Sequence, residues 1–551
     1  MRSRKAMVLA AVLSLSVLLA TCGSTKAAET AATSSDTAAA ESAASDTGVG
    51  PSAIAAGTNA ESDTPATASS DTTVTVTGGQ IEGSVENGVY QYLGVPYAEA
   101  TELFTPASEV TPWEGVREAT SYGPISYQSG MFGSGAGSSS DNESNNCQNL
   151  NLWTPGLDDA KRPVMVWLHG GGFSTGSANQ DDYNGADLAA DENVVVVGVN
   201  HRLGVYGFLN LTQYGEKYQD SANVGLLDII DALQWIQDNI ETFGGDSSNV
   251  TLFGQSGGGA KVLALMSSPR ASGLFERGIV ESGATETMGV VFTPEEQSEA
   301  IADETLNTLG ISADDIEDIQ NVSNDDLMSA STDAEYTIAQ RYQIPQAFGQ
   351  GYAYEWEPVI DGDVLPEDPV QENGFADAAS PYGLLIGSNL NEWNIWMASA
   401  LRHNVTNEIT QAYEAAYPNE DPSGAADVDT LLRLPILKIT AHKADQSAQD
   451  GAGRVYSYVF TKQSGSLFSS GVGHGAEIPY VFGHESGSFG REMEDLWASF
   501  ARDGVPSADG VETWEPYTRD GGAVMILNDD TYLAHHHDEE LLHLLAPDYV
   551  W

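Results

Sequence analysis

Val250-Thr251-Leu252-Phe253-Gly254-Gln255-Ser256-Gly257-Gly258-Gly259-Ala260-Lys261-Val262-Leu263-Ala264-Leu265-Met266 is the stretch whose reading decides the fold. Val250–Phe253 is a run of strand formers without polar alternation, as in a strand buried on both faces. Ala260–Met266 is a run of helix formers. Between them lies Gly-x-Ser-x-Gly, with the serine at the corner where strand becomes helix. Such a serine is strained and exposed, and the flanking glycines let neighbouring segments approach closely. It also caps the helix N-terminus, whose dipole favours developing negative charge. The same pattern occurs at Gly172–Gly176, which shows how little it says alone. Ser174 follows a strand, but Ser177–Asp182 is no apolar helix, so Ser174 reads as a loop serine. Ser256 is the candidate nucleophile.

Outward from this corner the chain reads as α/β with a parallel sheet. Val164–Leu168 and Val194–Val199 are continuous apolar runs, the signature of strands covered on both faces. Leu226, Leu227, Ile230, Leu233, Ile236 and Ile240 recur at helical spacing before Phe243-Gly244-Gly245. Val74, Val76, Ile81 and Val85 alternate like edge or hairpin strands, so ordered structure is expected to begin near Thr73. From there to Trp551 no linker or repeat is evident, and the reading is a single domain, 73–551. Gly130–Ser144 is expected to be a long mobile loop; its glycines do not join a strand to a helix and form no phosphate-binding fingerprint.

His169-Gly170-Gly171-Gly172-Phe173 follows the strand ending at Leu168. Consecutive glycines there can aim backbone N–H groups at a tetrahedral oxyanion, because no side chain blocks the approach. Ten histidines compete for the general base. His169 and His201 precede the serine, whereas the order in such folds is serine, acid, histidine. His535-His536-His537 lacks metal-ligand spacing and reads as a solvated run. His474 stands in the glycine-rich loop Gly471–Glu477, after the strand-like Val455–Phe460. Glu392 lies just past the buried run Leu384–Gly387, where an orienting acid belongs. Asp361 and Asp363 compete with it, although Asp361-Gly362 is an ordinary turn signal.

The chain has 551 residues, with 22 basic against 79 acidic side chains and a formal charge of −57. Nothing here could neutralise a phosphate backbone, so a nucleic-acid partner is excluded, as is a polybasic grip on lipid. The acidity suits a high-salt habitat or an acidic extracellular proteome equally. Arg2, Arg4 and Lys5 followed by the short apolar run Met7–Ala20 fit a signal peptide, 1–21. Leu19-Ala20-Thr21-Cys22 resembles a bacterial lipobox, with Thr21 where Gly, Ala or Ser is usual. The expectation is an exported protein tethered by lipid on Cys22 through a solvated Ala/Ser/Thr/acidic linker over 22–72. Membrane contact is expected only through that anchor. The other cysteine, Cys147, then has no disulfide partner and reads as a small half-buried residue.

Taken together, these segments resemble the type-B carboxylesterase family, the branch of α/β-hydrolases that includes cholinesterases and bacterial aryl-ester esterases. The likeness runs from about Val74 to the C-terminus. It rests on Tyr92–Ala98, Asn200-His201-Arg202-Leu203-Gly204-Val205-Tyr206-Gly207-Phe208, Phe243–Asp246 and Phe253–Gly259. It implies an α/β-hydrolase fold, a mostly parallel central sheet flanked by helices on both faces. It also implies a Ser256–Glu392–His474 triad, with Glu rather than Asp as acid by family habit. The N–H groups of Gly171, Gly172 and Gly257 are implied as the oxyanion hole. The activity implied is hydrolysis of small carboxylic esters, short-acyl or aryl, through an acyl-enzyme, with no cofactor or metal. The same fold also hosts non-catalytic surface adhesion modules and amide, carbamate or lactone hydrolases, so the fold alone leaves these open. There are departures. Asn145-Asn146-Cys147 lacks the acidic residues of the family's second signature, and Ser126 stands where the cysteine partner is usual. Gln255 replaces a glutamate beside the nucleophile. The Gly/Ser stretch has no aromatic after Phe132, which disfavours an aromatic cage for quaternary ammonium.

Overall fold

Arg162–Leu168 is buried at all seven positions and Val195–Val199 at all five. Rows without alternation need cover on both faces, which only the interior of a helix-flanked sheet supplies. In the computed structural model of the protein the described residues are 72–128, 142–285, 292–346, 351–393, 402–449, 451–463 and 472–551. The signal, Cys22 and linker readings, and most of the Gly/Ser loop, lie outside them.

Among the described residues one sheet holds eleven strands. They are β1 (Ser84–Glu86), β2 (Val89–Pro96), β3 (Asn149–Thr154), β4 (Arg162–Leu168), β5 (Val195–Val199), β6 (Gly245–Gln255), β7 (Arg277–Glu281), β8 (Gly383–Asn389), β9 (Val455–Phe460), β10 (Ala523–Leu527) and β11 (Tyr532–His535). Their spatial order is β11-β10-β9-β8-β7-β6-β4-β5-β3-β2-β1. From β5 through β4, β6, β7, β8 and β9 to β10 every pairing is parallel. The flanks, β1-β2-β3-β5 on one side and β10-β11 on the other, are antiparallel. This is the α/β-hydrolase architecture. The expected hairpin exists apart from it: Thr73–Val76 pairs with Gly79–Glu82, burying Val76 and Ile81.

The flanking helices include α1 (Ala186–Glu192), α2 (Val224–Asn239), α3 (Gly257–Ser267), α4 (Glu295–Leu309), α5 (Asn324–Tyr342), α6 (Arg433–Ser447) and α7 (Ser488–Asp503). The spacing noted around Leu226–Ile236 is that of α2, on which Leu226, Leu227, Leu233 and Ile236 are buried and Ile230 is half-buried. Among the described residues two arginine–carboxylate pairs are buried on both sides: Arg202 with Asp228 at 2.7 Å, and Arg433 with Asp538 at 2.9 Å. Cys147 is fully buried rather than half-buried, and burial pushes its thiol up. It is a core residue beside the Arg202–Asp228 pair.

One consequence of the parallel run governs the site. The chain leaves β4, β6, β8 and β9 at the same edge of the sheet. The segments that follow these four strands carry His169–Phe173, Ser256, Glu392 and His474 respectively. Loops at the carboxyl edge of such a sheet are where open α/β folds place ligands.

Candidate active site

Ser256 occupies the one-residue joint between β6 and α3 with φ 58° and ψ −126°. A side chain other than glycine pays for that conformation, so surrounding contacts must fix it. They do: the Ser256 N–H donates to the Glu281 carbonyl on β7 at 2.8 Å, and its carbonyl accepts from Ala260 at 3.1 Å. A Cβ at Gly258 would run into the Leu168 carbonyl, and one at Gly257 into the Gly172 carbonyl. Glycine at both positions is what lets α3 begin directly against the end of β4 and the loop beyond it. The alternative match, Ser174, lies in that loop with no helix directly after it.

In the loop after β4, Gly171 and Gly172 have φ +90° and +62°. A Cβ at Gly171 would also strike the Thr175 carbonyl. This left-handed pair turns the chain so that the Gly171 carbonyl accepts from Thr175 at 3.0 Å. The N–H groups of Gly171, Gly172 and Gly257 donate to no described residue. The glycine loop lies against this corner, with Gly257 packed on the Gly172 backbone and Gly170 near the Ser256 Cβ, so these unpartnered amides belong to segments beside the serine, where an oxyanion would need donors.

His474 and Glu392 come together although 82 residues separate them. His474 Nδ1 donates to Glu392 Oε2 at 2.6 Å. The acid is buried, and its other oxygen accepts the Asn389 N–H at 2.7 Å. The two loops are laced together: the His474 N–H donates to the Glu392 carbonyl at 2.8 Å, and Asn391 to Val472 at 3.2 Å. Burial alone would lower the imidazole; the charge and hydrogen bond of Glu392 outweigh it and hold His474 above its ordinary value. Its Nε2 faces the Gln255 amide nitrogen at 3.0 Å, and no hydrogen bond joins it to Ser256 Oγ. With Nδ1 carrying the proton for Glu392, Nε2 presents its lone pair to the amide N–H. That is the tautomer a general base needs.

Three neighbours of this group were not singled out in the sequence. Trp393 stacks on the His474 ring with centroids 4.3 Å apart; its place directly after Glu392 was the available signal. Glu477 and Asp429 are buried near Glu392, and burial first, then the Glu392 charge, raises each to about 7. Asn389 Nδ2 donates to Glu477 Oε2 at 2.6 Å, so this carboxyl is anchored to the same strand end.

The competing candidates lie elsewhere. Asp361 accepts from Asn223 Nδ2 at 2.7 Å and from the Leu365 N–H at 2.9 Å, and Asp363 pairs with Arg270. Neither bonds to His474. His169 and His201 stack on each other in the interior, centroids 5.1 Å apart. Burial holds His169 down at about 3 and His201 well below its ordinary value, so both are neutral core residues. In the C-terminal run the histidines serve different partners. His535 contacts the Gly521 carbonyl and His536 contacts Glu539, whereas His537 turns inward against Tyr417. The third is therefore not solvated as expected. Among the described residues no group of three His, Cys, Asp or Glu side chains is placed to hold a metal.

Comparison with known proteins gives a consistent result. The Carboxylesterase family matches the chain over residues 70–421 and 399–543. The chain is 32% identical over 505 residues to the para-nitrobenzyl esterase of Bacillus subtilis, covering 86% of this chain and 98% of that protein. It is 30% identical over 504 residues to the liver carboxylesterase of Sus scrofa, covering 79% and 84%. Among solved structures, an esterase from Clostridium hathewayi described as hydrolysing aliphatic aromatic polyesters superposes with a TM-score of 0.75. The two are 30% identical, over 87% of this chain and 98% of that one. With fold, family match and relatives in agreement across most of its length, the chain belongs to the carboxylesterase family and is a carboxylic ester hydrolase.

Proposed function

We propose that the protein hydrolyses small carboxylic esters, short-acyl or aryl, through an acyl-enzyme on Ser256. His474 is the general base, Glu392 its orienting acid, and the amides of Gly171, Gly172 and Gly257 the oxyanion hole. The observation that carries this reading is the 2.6 Å Glu392–His474 bond at the same sheet edge as the strained Ser256.

In the first half-reaction His474 Nε2 takes the Ser256 hydroxyl proton as Oγ bonds to the ester carbonyl carbon. Negative charge gathers on the carbonyl oxygen among the three amides. His474 then hands its proton to the departing alcohol as the C–O bond breaks. In the second, water gives its proton to His474 and attacks the acyl carbon; Ser256 takes that proton back as the acid leaves. Glu392 holds the ring in place and steadies the imidazolium. For Nε2 to serve Ser256 it must first leave the Gln255 amide. Apo geometries of this kind commonly tighten only with substrate bound. The names of the Bacillus and Clostridium relatives support aryl and aromatic esters as the substrate class.

Hydrolysis of a p-nitrophenyl ester series from acetate to decanoate tests the proposal. Activity should favour the short chains, and Ser256→Ala should lower kcat by roughly 10⁵-fold or more. Retained hydrolysis in that variant would contradict the nucleophile. A preference for the longest chains would contradict the substrate class.

A further inference from the structure

Lys261 has no part in the cycle just described, yet its position is unusual. It lies five residues after Ser256 on α3 and is fully buried. Its Nζ donates to the His169 carbonyl at 2.9 Å and to the Gly172 carbonyl at 2.8 Å. Those two carbonyls belong to the peptide units immediately flanking the ones that carry the Gly171 and Gly172 N–H groups. One ammonium thus grips the glycine loop on both sides of two of the three free amides. The Gly172 carbonyl also sits against Gly257, where a Cβ could not fit, so the grip sets the distance to the third amide.

The charge is not cancelled by a partner. Arg162, Arg202 and Arg433 are buried cations that pair with carboxylates, whereas among the described residues Lys261 has no ion pair. Glu357, whose field reaches it, makes no ion pair with it and is itself buried, and that burial holds its carboxyl well above the usual carboxylate range. The Phe173 ring, centroid 5.1 Å from Nζ, completes the enclosure. Burying a cation this way is costly, and burial draws the ammonium down to about 7. Sequence alone read this residue only as one of a run of helix formers.

We infer that Lys261 is a positioning residue of the oxyanion hole. It brackets the glycine loop so that the Gly171 and Gly172 amides keep a fixed spacing to that of Gly257, and it adds positive charge behind the developing oxyanion. The inference rests on the oxyanion-hole reading above. Because Lys261 touches no reacting atom, it acts through the loop and its field.

Lys261→Met, Lys261→Gln and a control, Lys443→Met, test it in the full-length protein. Lys443 is buried in the same manner on α6 and donates to the Ala379 and Ser380 carbonyls, none of them in the glycine loop. Active sites are counted by stoichiometric p-nitrophenolate release from diethyl p-nitrophenyl phosphate, and kcat is expressed per titrated site. Lys261→Met is expected to lower kcat by about 10²–10³-fold, the cost of losing oxyanion donors, with KM little changed. Inhibition by an aryl trifluoromethyl ketone, whose adduct places an oxyanion in the hole, should weaken by a similar factor. Lys261→Gln keeps donors without charge and should fall between the two. Lys443→Met should lose thermal stability with kcat intact. Lys261→Met behaving like the control, less stable but with unchanged kcat and inhibitor affinity, overturns the inference. If that variant does not fold, an unchanged kcat in Lys261→Gln does so. Ser256→Ala run in parallel separates the two claims. If it stays active, the nucleophile reading fails; if it is dead while the Lys261 variants are unaffected, only the role of the lysine fails.

Discussion

His474 is the residue whose environment makes the sharpest statement about pH. Only its neutral ring can act as base, and its pKa is raised above the ordinary value. The acid limb of kcat/KM is therefore expected above about pH 6.5, with activity lost as pH falls through it. Glu392→Gln removes the charge that raises the ring, so the limb should move to lower pH while kcat drops by about 10⁴-fold. Gln255→Glu places a carboxylate where an amide now lies 3.0 Å from Nε2, so its limb should move to higher pH. Complete pH–rate profiles of the three proteins check both directions; a limb unmoved by either change would mean another group titrates. Residues of this site were unequally legible in the sequence. Ser256 could be chosen because its context is local, a strand on one side and a helix on the other. His474 and Glu392 could be chosen only with the family's help, since no local pattern says which loops meet. Gln255 gave no hint of its contact with the imidazole, because that contact is made only when the loops after β6 and β9 converge.

At the level of elements, the strands buried on both faces were the readable ones. β4, β5 and β6 stand out because unbroken apolar runs have few other uses, and α2 because its spacing is helical. The antiparallel edge β10–β11 was not read: β11 ends in His535, and polar residues at a sheet edge look like any solvated segment. Beyond that edge, Asp538 joins the chain's last segment to α6 through two bonds to Arg433, at 2.9 and 3.0 Å. Burial would raise the Asp538 carboxyl, but Arg433 outweighs it and holds it far below its usual range. A depressed carboxylate adds stability above its unfolded value of about 3.9, and this is lost as pH falls below that value. Asp538→Asn leaves Arg433 buried without its counter-charge and should cost about 3–5 kcal/mol at neutral pH. Urea unfolding of both proteins measures it. A difference that persists undiminished in acid, down to the lowest pH at which both remain folded, would assign the loss to packing instead.

Across the whole molecule the dominant fact is charge. A formal −57 over 551 residues makes the folded state repel itself, and ions in solution screen that repulsion. Raising NaCl from 0.05 to about 1 M shortens the screening length to roughly 3 Å. The thermal midpoint is expected to rise across that range, even though the surface ion pairs weaken. Calorimetry in NaCl gives the sign directly, and a falling midpoint would show that attractive pairs outweigh the net repulsion. Composition revealed this property fully, yet it is independent of the fold. The convergence of four segments at one sheet edge follows instead from the parallel order of β4, β6, β8 and β9.

The most direct test of that convergence is to find where a covalent probe lands. Diethyl p-nitrophenyl phosphate releases p-nitrophenolate as a serine oxygen bonds to phosphorus, and peptide mass spectrometry then locates the diethylphosphoryl group. The account predicts one group per chain, on Ser256, with labelling slowed in His474→Ala and abolished in Ser256→Ala. A label on Ser174 or any other residue, or undiminished labelling without Ser256, would contradict it.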